Sequence, residues 1–325
     1  MHSSRQLPTS PPGLTVRRAR SSDAAGVESI VNEVTMTDVG MTAYQPGELA
    51  REWHTDEAAA AHLVVEDDLG AIVAVLWLER QGEGLYGEMF VTPGSHALVL
   101  HRYLIDLAEW KAISESTSTG DPISLCLNVN TEPPRRLLDE RGYARGMQDH
   151  AMFMDLDGID IQPWPDGLEL REYEEGTDDL LMYETMRAGF VDDWDGTDDA
   201  REWIRSHHRA PGYRQELWFF AGADGDVAGA IQCRDRWHGA VDTGWIKNLA
   251  VLPGRRRQGI GRALLEEAFR RLRALGRSRA VLGVTSANPT AAKDFYLRIG
   301  MYERGSSTDH EKTFDAGGSR GEMRR

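Results

Sequence analysis

The sequence predicts an α/β protein of two tandem domains built on one plan, each a mixed, largely central sheet flanked by helices on both faces. Three observations carry this. A length of 325 residues exceeds one ordinary core and suits two domains of roughly 150 residues. Strand-like runs alternate with amphipathic stretches, the pattern of a mixed or largely parallel sheet covered on both faces. Short segments also recur in order: Leu14–Arg17 echoes Leu168–Arg171, Phe90–Gly94 echoes Ala250–Gly254, and Arg141–Tyr143 echoes Ile299–Met301. The expected division is a disordered leader at 1–13, a first domain at 14–156, a linker at 157–167, a second domain at 168–314 and a disordered tail at 315–325. Pro163 and Pro165, flanking Trp164, mark the linker.

In the second copy, a strand from Leu168 is followed by a helix from Asp178 and a second helix. Leu217–Ala221 and Val227–Gln232 read as a hairpin across Gly222–Gly225. Trp245–Leu252 is a further strand, ended by Pro253. From Ile260, apolar residues recur at Leu264, Ala268, Leu272 and Leu275, one buried stripe of an amphipathic helix. Ala280–Val284 reads as a strand, and Pro289 fits the first turn of a helix running to about Ile299.

Composition narrows the function. No stretch approaches the ~18 apolar residues of a membrane span, and the Ser/Pro-rich start has no apolar core of a secretory signal. Cys126 and Cys233 lie in separate apolar runs, which predicts no disulfide and a reducing cytoplasm. The net charge of −15 is concentrated in residues 1–162, with 12 basic and 25 acidic side chains. That argues against nucleic acid or an anionic membrane as partner. Yet nine arginines fall between Arg255 and Arg279, against only Glu266 and Glu267. An anionic small ligand explains such a block better than a polymer does.

The segment Leu249–Arg262 offers the place for it. A buried strand ends at a proline, and a basic loop with Gly259 and Gly261 opens the amphipathic helix. First-turn helix amides have no intrahelical partner and the macrodipole adds positive potential, so a phosphate fits there. Arg256, Arg257 and Arg262 add charge-assisted donors. The loop is neither a P-loop nor the three-glycine dinucleotide fingerprint. Taken alone, it reads equally well as a glycine-containing helix start with a solvated arginine face. His207 and His208 read as a solvated helix face, and no metal-binding cluster stands out.

About 30 residues on comes Asn288-Pro-Thr-Ala-Ala-Lys-Asp-Phe-Tyr-Leu-Arg-Ile-Gly-Met301. With Arg-x-x-Gly-x-Gly at 256–261 and this Asn-x-x-Ala-x-x-x-Tyr-x-x-x-Gly run, residues 168–314 resemble the GNAT superfamily of N-acetyltransferases. The tandem layout is similar to that of an actinobacterial acetyltransferase made of two such domains. The resemblance implies a direct transfer from acetyl-CoA, or another acyl-CoA, to an amine of a small-molecule acceptor, without a metal. It implies that Leu249, Ala250 and Val251 face the pantetheine arm, with the Val251 amide holding the oxyanion. The amides of Arg257, Gln258, Gly259, Ile260, Gly261 and Arg262 would hold the pyrophosphate, and Asn288 and Lys293 would contact the donor. Tyr296 would protonate the leaving thiolate. As a residue type, a buried aromatic beside Phe295 is the alternative.

The departures are informative. Where many relatives carry a glutamate before the donor loop, Trp245-Ile-Lys-Asn248 has no carboxylate, and Asp242 is the nearest candidate. Asp192, Asp193 and Trp194 lie where the acceptor site is expected, although aspartates also favour helix starts and loops. In the first copy, Ser95–His101 lacks the glycine loop and Leu138 occupies the tyrosine position, which predicts a degenerate copy. Two alternatives remain at this stage: a pantetheine-bearing carrier protein as donor, docked on the arginine block, or a non-catalytic acyl-CoA sensor.

Overall fold

The computed structural model describes residues 7–94, 96–160, 162, 164–190, 194, 196–223, 226–286 and 292–315. It divides into two compact units. The first runs to Asp149 and takes up the chain again from Gly305; the second is His150–Arg304.

The first unit contains β1 (Leu14–Arg18), α1 (Ala24–Asp38), α2 (Glu48–Glu52), α3 (Asp56–Ala59), β2 (Leu63–Asp67), β3 (Ile72–Gln81) and β4 (Gly84–Val91). Then come α4 (Ala97–Thr119), β5 (Ile123–Val129), α5 (Pro134–Glu140) and the first half of β6 (Ala144–Asp155). Helix α4 buries Leu100, Tyr103, Leu104, Leu107 and Ala108 at helical spacing and stops at Gly120, which takes the left-handed C-cap. Its stripe covers one face of the sheet, while α1 and α2 cover the other. Leu138 is fully buried in that core.

The second unit contains β7 (Leu168–Glu172), α6 (Asp179–Gly189), α7 (Ala200–Arg209), β8 (Tyr213–Ala223), β9 (Asp226–Arg234), β10 (Thr243–Val251), α8 (Ile260–Ala274), β11 (Arg279–Thr285) and α9 (Ala292–Ile299). The order of elements is the one expected for the second copy. Strands run β11-β10-β9-β8-β7. The sheet is mixed, but only β10 and β11 pair in parallel, whereas β7/β8, β8/β9 and β9/β10 are antiparallel. A largely parallel sheet is excluded for a simple reason: the short β8–β9 connection cannot carry a crossover.

The seams also differ from the expected 14–156 and 168–314. The last strand, β12 (Tyr302–Phe314), pairs with β5 of the first unit from Thr308↔Val129 to Phe314↔Ile123. Conversely, His150–Asp155 belongs to the second unit, where Leu156 N donates to Ser278 O at 2.8 Å. Each copy thus surrenders its final strand segment to the other unit. His207 and His208 are half-buried rather than solvated. His207 lies 4.0 Å from the Trp203 ring centre, and His208 bonds the Tyr173 hydroxyl at 2.8 Å.

Candidate functional site

The second unit has a break in its sheet. Parallel pairing of β10 with β11 covers only Thr243, Gly244 and Trp245. A bulge at Lys247 follows, after which Leu249, Ala250 and Val251 pair with β9 alone among the described residues. The two strands therefore part just beyond Trp245. Leu252 N donates to Ala228 O across β9. Since successive strand amides alternate sides, those of Leu249 and Val251 point away from β9 and into the split. Close approach at the far end is secured by Gly229, where a Cβ would lie 2.6 Å from the Ala250 carbonyl oxygen.

Beyond Val251 the chain makes one 3₁₀ turn at Pro253–Arg255 and a loop, and α8 begins. Arg257 has φ +66° and Gly259, at the N-cap, φ +84°. No side chain caps this end, so the first-turn amides are open to an anion. Gly261 sits against α9, where a Cβ would come within 3.3 Å of Phe295 Cζ and 3.6 Å of Val251 Cγ2.

The arginine block divides by partner. Arg256 donates from Nε to Val251 O at 3.2 Å and from Nη2 to Gly189 O at 2.9 Å. Arg262 pairs with Glu266, Arg270 and Arg271 with Glu267, Arg277 with Asp235 and Arg279 with Asp242. Arg255 reaches Asp226 at 4.0 Å, and Arg273 bonds Ile159 O. Only Arg257 forms no side-chain hydrogen bond or ion pair among the described residues, and it stands at the mouth of α8. A block so widely engaged inside its own fold lends nothing to a docking surface for a carrier protein.

Tyr296, on α9, is buried with 8 % exposure in the second unit's core. Burial pushes its phenol up to about 12, so it is neutral at pH 7 and able to donate a proton. Its ring lies 5.4 Å from that of Phe295, which borders Gly261. Lys293 is engaged: its Nζ lies 2.7 Å from Glu303 Oε2 and 3.1 Å from His150 Nδ1. Asn288, Asp192 and Asp193 lie outside the described residues.

The other two acceptor candidates are described. Trp194 is partly buried, packing edge-on against Tyr183 at 5.6 Å and beside Trp203 at 5.9 Å, against the core of the second unit. Asp242 precedes β10 at the end opposite Val251, roughly 30 Å away along an extended strand. Burial pushes its carboxyl up, but Arg279 at 3.0 Å and the Thr243 hydroxyl outweigh that and hold it below the usual range. In place of a carboxylate, the β10 face towards α6 and α7 carries an amide pair, with Asn248 Nδ2 donating to Gln232 Oε1 at 2.8 Å. Sequence reasoning missed this pair, because a glutamine inside an apolar strand shows its partner only once the register is known.

Among the described residues, no group of three or more His, Cys, Asp or Glu side chains is placed to hold a metal ion. No described helix is long and apolar enough to cross a membrane.

The model of the acetyltransferase (GNAT) family matches residues 181–301, the stretch that holds the split, the basic loop and Tyr296. A mycothiol acetyltransferase of Geodermatophilus obscurus is 25 % identical over 306 residues, covering 91 % of this chain and 94 % of that one. Among solved structures, a GCN5-related N-acetyltransferase from Sphaerobacter thermophilus superposes with a TM-score of 0.77 at 22 % identity, over 94 % of this chain and 97 % of that one. A tandem GNAT protein from the clavulanic acid biosynthesis pathway gives 0.65 at 16 % identity, over 94 % and 100 %. These two likenesses concern the fold.

Proposed function

We propose that this tandem chain, whose residues 181–301 match the acetyltransferase (GNAT) family, moves an acetyl group from coenzyme A to an amine of a small-molecule acceptor. The observation that carries this reading is the parted β10–β11 pair leading straight into the uncapped start of α8. A pantetheine arm fits the split as an added strand, bonding the Leu249 and Val251 backbone. The diphosphate meets the amides of Gln258–Arg262 with the Arg257 guanidinium. Arg256 stabilises the wall of this site, and Lys293 stays with Glu303. The mycothiol acetyltransferase name of the relative points to a small amine as acceptor.

The neutral amine nitrogen attacks the thioester carbonyl carbon, and the developing oxyanion is held by a backbone amide of β10 towards the apex of the split. Collapse of the tetrahedral species breaks the carbon–sulfur bond. The thiolate takes the Tyr296 Oη proton, and the phenol is restored by the proton the amine has lost. The amide pair of Gln232 and Asn248 cannot act as a base, so the amine arrives deprotonated or loses its proton to water. The first unit, with Leu138 packed where the second has Tyr296, contributes no chemistry. The two free cysteines fit a reducing cytoplasm.

Calorimetry with coenzyme A tests the reading. One site per chain is expected, weakened at least tenfold in Arg257→Ala, since a charge-assisted bond contributes about 1.5–3 kcal/mol. Two equivalent sites, or none, would overturn it.

A further inference from the structure

Arg234 is a half-buried guanidinium that meets no carboxylate among the described residues. It ends β9, and its Cζ lies 4.7 Å from the ring centre of Trp245, its partner in register on β10. The next residue, Asp235, is taken by Arg214 and Arg277. Burial without a counter-charge pulls the Arg234 guanidinium below the usual arginine range. In a chain with net charge −15, leaving an arginine so placed is costly unless something else neutralises it.

A second donor lies beside it. Two residues earlier on the same strand face is Gln232, 1 % exposed. Its Oε1 accepts from Asn248, while its Nε2 is buried without a hydrogen-bond partner among the described residues. A buried amide N–H₂ left open is uncommon, and each such group costs about 1–3 kcal/mol. Residues i and i+2 of a strand stand roughly 7 Å apart on one side, a span that one small ligand bridges.

Two further basic side chains lie close by. His207, on α7, is pushed down to about 4, by burial first and by the charges of Arg234 and Lys247 beside it. The Lys247 ammonium is itself 5.1 Å from the Trp245 ring. Trp245 is also the last residue of β10 that pairs with β11, so this patch lies at the apex of the split, where the acetyl end of a pantetheine arm would arrive.

We propose that Arg234, with the Gln232 amide beside it and the Trp245 indole beneath it, is the subsite for an anionic group of the acceptor, a carboxylate or a phosphate. The acceptor is then an amine that carries its own negative charge, with the amine directed to the thioester while Arg234 holds the other end. This inference rests on the acetyltransferase reading and names the acceptor class within it.

The test uses the full chain, acetyl-CoA and a matched panel of amines: α-amino acids, their carboxamides, and aminoalkyl phosphates, followed by thiol release. In the wild type, the anionic amines should exceed the carboxamides in kcat/KM by about tenfold to a hundredfold. Carboxylate over phosphate, or the reverse, identifies the group. Arg234→Met should abolish the preference chiefly through KM, Arg234→Lys should restore part of it, and the carboxamides should respond to neither. Equal use of anionic and neutral amines, or an equal loss for both in Arg234→Met, would overturn the subsite. A second readout covers an inert panel. Trp245 emission should change on titration with the same amino acids and phosphates in wild type but not in Arg234→Met, and no change in either protein overturns the subsite. Failure to bind coenzyme A would instead sink the acetyltransferase reading, and calorimetry measures that separately.

Discussion

Arg256 donates from Nη2 to the Gly189 carbonyl at 2.9 Å, so a side chain of the donor loop also closes the C-terminal end of α6. Its Nε binds Val251 O as well. A guanidinium spent on two backbone carbonyls supports the site from behind. Its neighbour Arg257 has no such duty.

The two arginines should therefore separate on mutation. Arg256→Ala removes two charge-assisted bonds and should lower stability by about 1.5–3 kcal/mol, read as a fall in the denaturant midpoint at unchanged m. Arg257→Gly should leave stability level or slightly raised, since φ +66° suits glycine, while coenzyme A binding weakens. Loss of stability in Arg257→Gly with Arg256→Ala unaffected would reverse the assignment.

Tyr296→Phe tests the proposed proton donor. Phenylalanine keeps nearly all the buried area, so melting temperature and donor Kd should hold. A positioned general acid contributes ~10²–10⁴-fold to rate, and kcat should fall by that range. A loss under about threefold would return Tyr296 to packing.

The pH profile should have one limb. Activity should climb with pH as the acceptor amine loses its proton. As the proposed proton donor, Tyr296 would act in its protonated form, and with its phenol pushed up to about 12 it retains that proton up to roughly pH 11. A descending limb in kcat near pH 9 or 10 that vanishes in Tyr296→Phe would contradict this placement.

Gly229 is a purely steric test. A methyl there would meet the Ala250 carbonyl oxygen at 2.6 Å and crowd Ile260 and Leu264 at 3.3 Å. Gly229→Ala should cost about 1–3 kcal/mol as overpacking and blunt donor binding by shifting β10. Thermal unfolding together with calorimetry measures both effects.

Local pattern made much of the second unit legible. The apolar runs at 217–221 and 227–232, the stripe from Ile260 to Leu272 and Pro253 after Leu252 each encode an element by itself, and all are found. What depends on pairing was hidden. Nothing local states that β12 joins β5, that β10 leaves β11 after three residues, or that Gln232 faces Asn248. Trp194 stands partly buried against the core beside Tyr183 and Trp203, contacts that no local pattern states. Arg256 and Lys293 match a motif by position, yet their side chains are held by Gly189, Val251 and Glu303, which are remote in sequence or lie beyond the matched run.

The pairing of Thr308–Phe314 with β5 bears on how the polypeptide acquires its structure as it leaves the ribosome. Residues 14–149 emerge early, yet their sheet has a bare edge along Ile123–Val129 until Thr308–Phe314, more than 150 residues later, is made. Ordinary domain-by-domain folding during synthesis is thus unavailable to it, and for that interval β5 presents an unpaired strand edge of the kind that invites aggregation. Cutting the gene between the two copies would make that interval permanent.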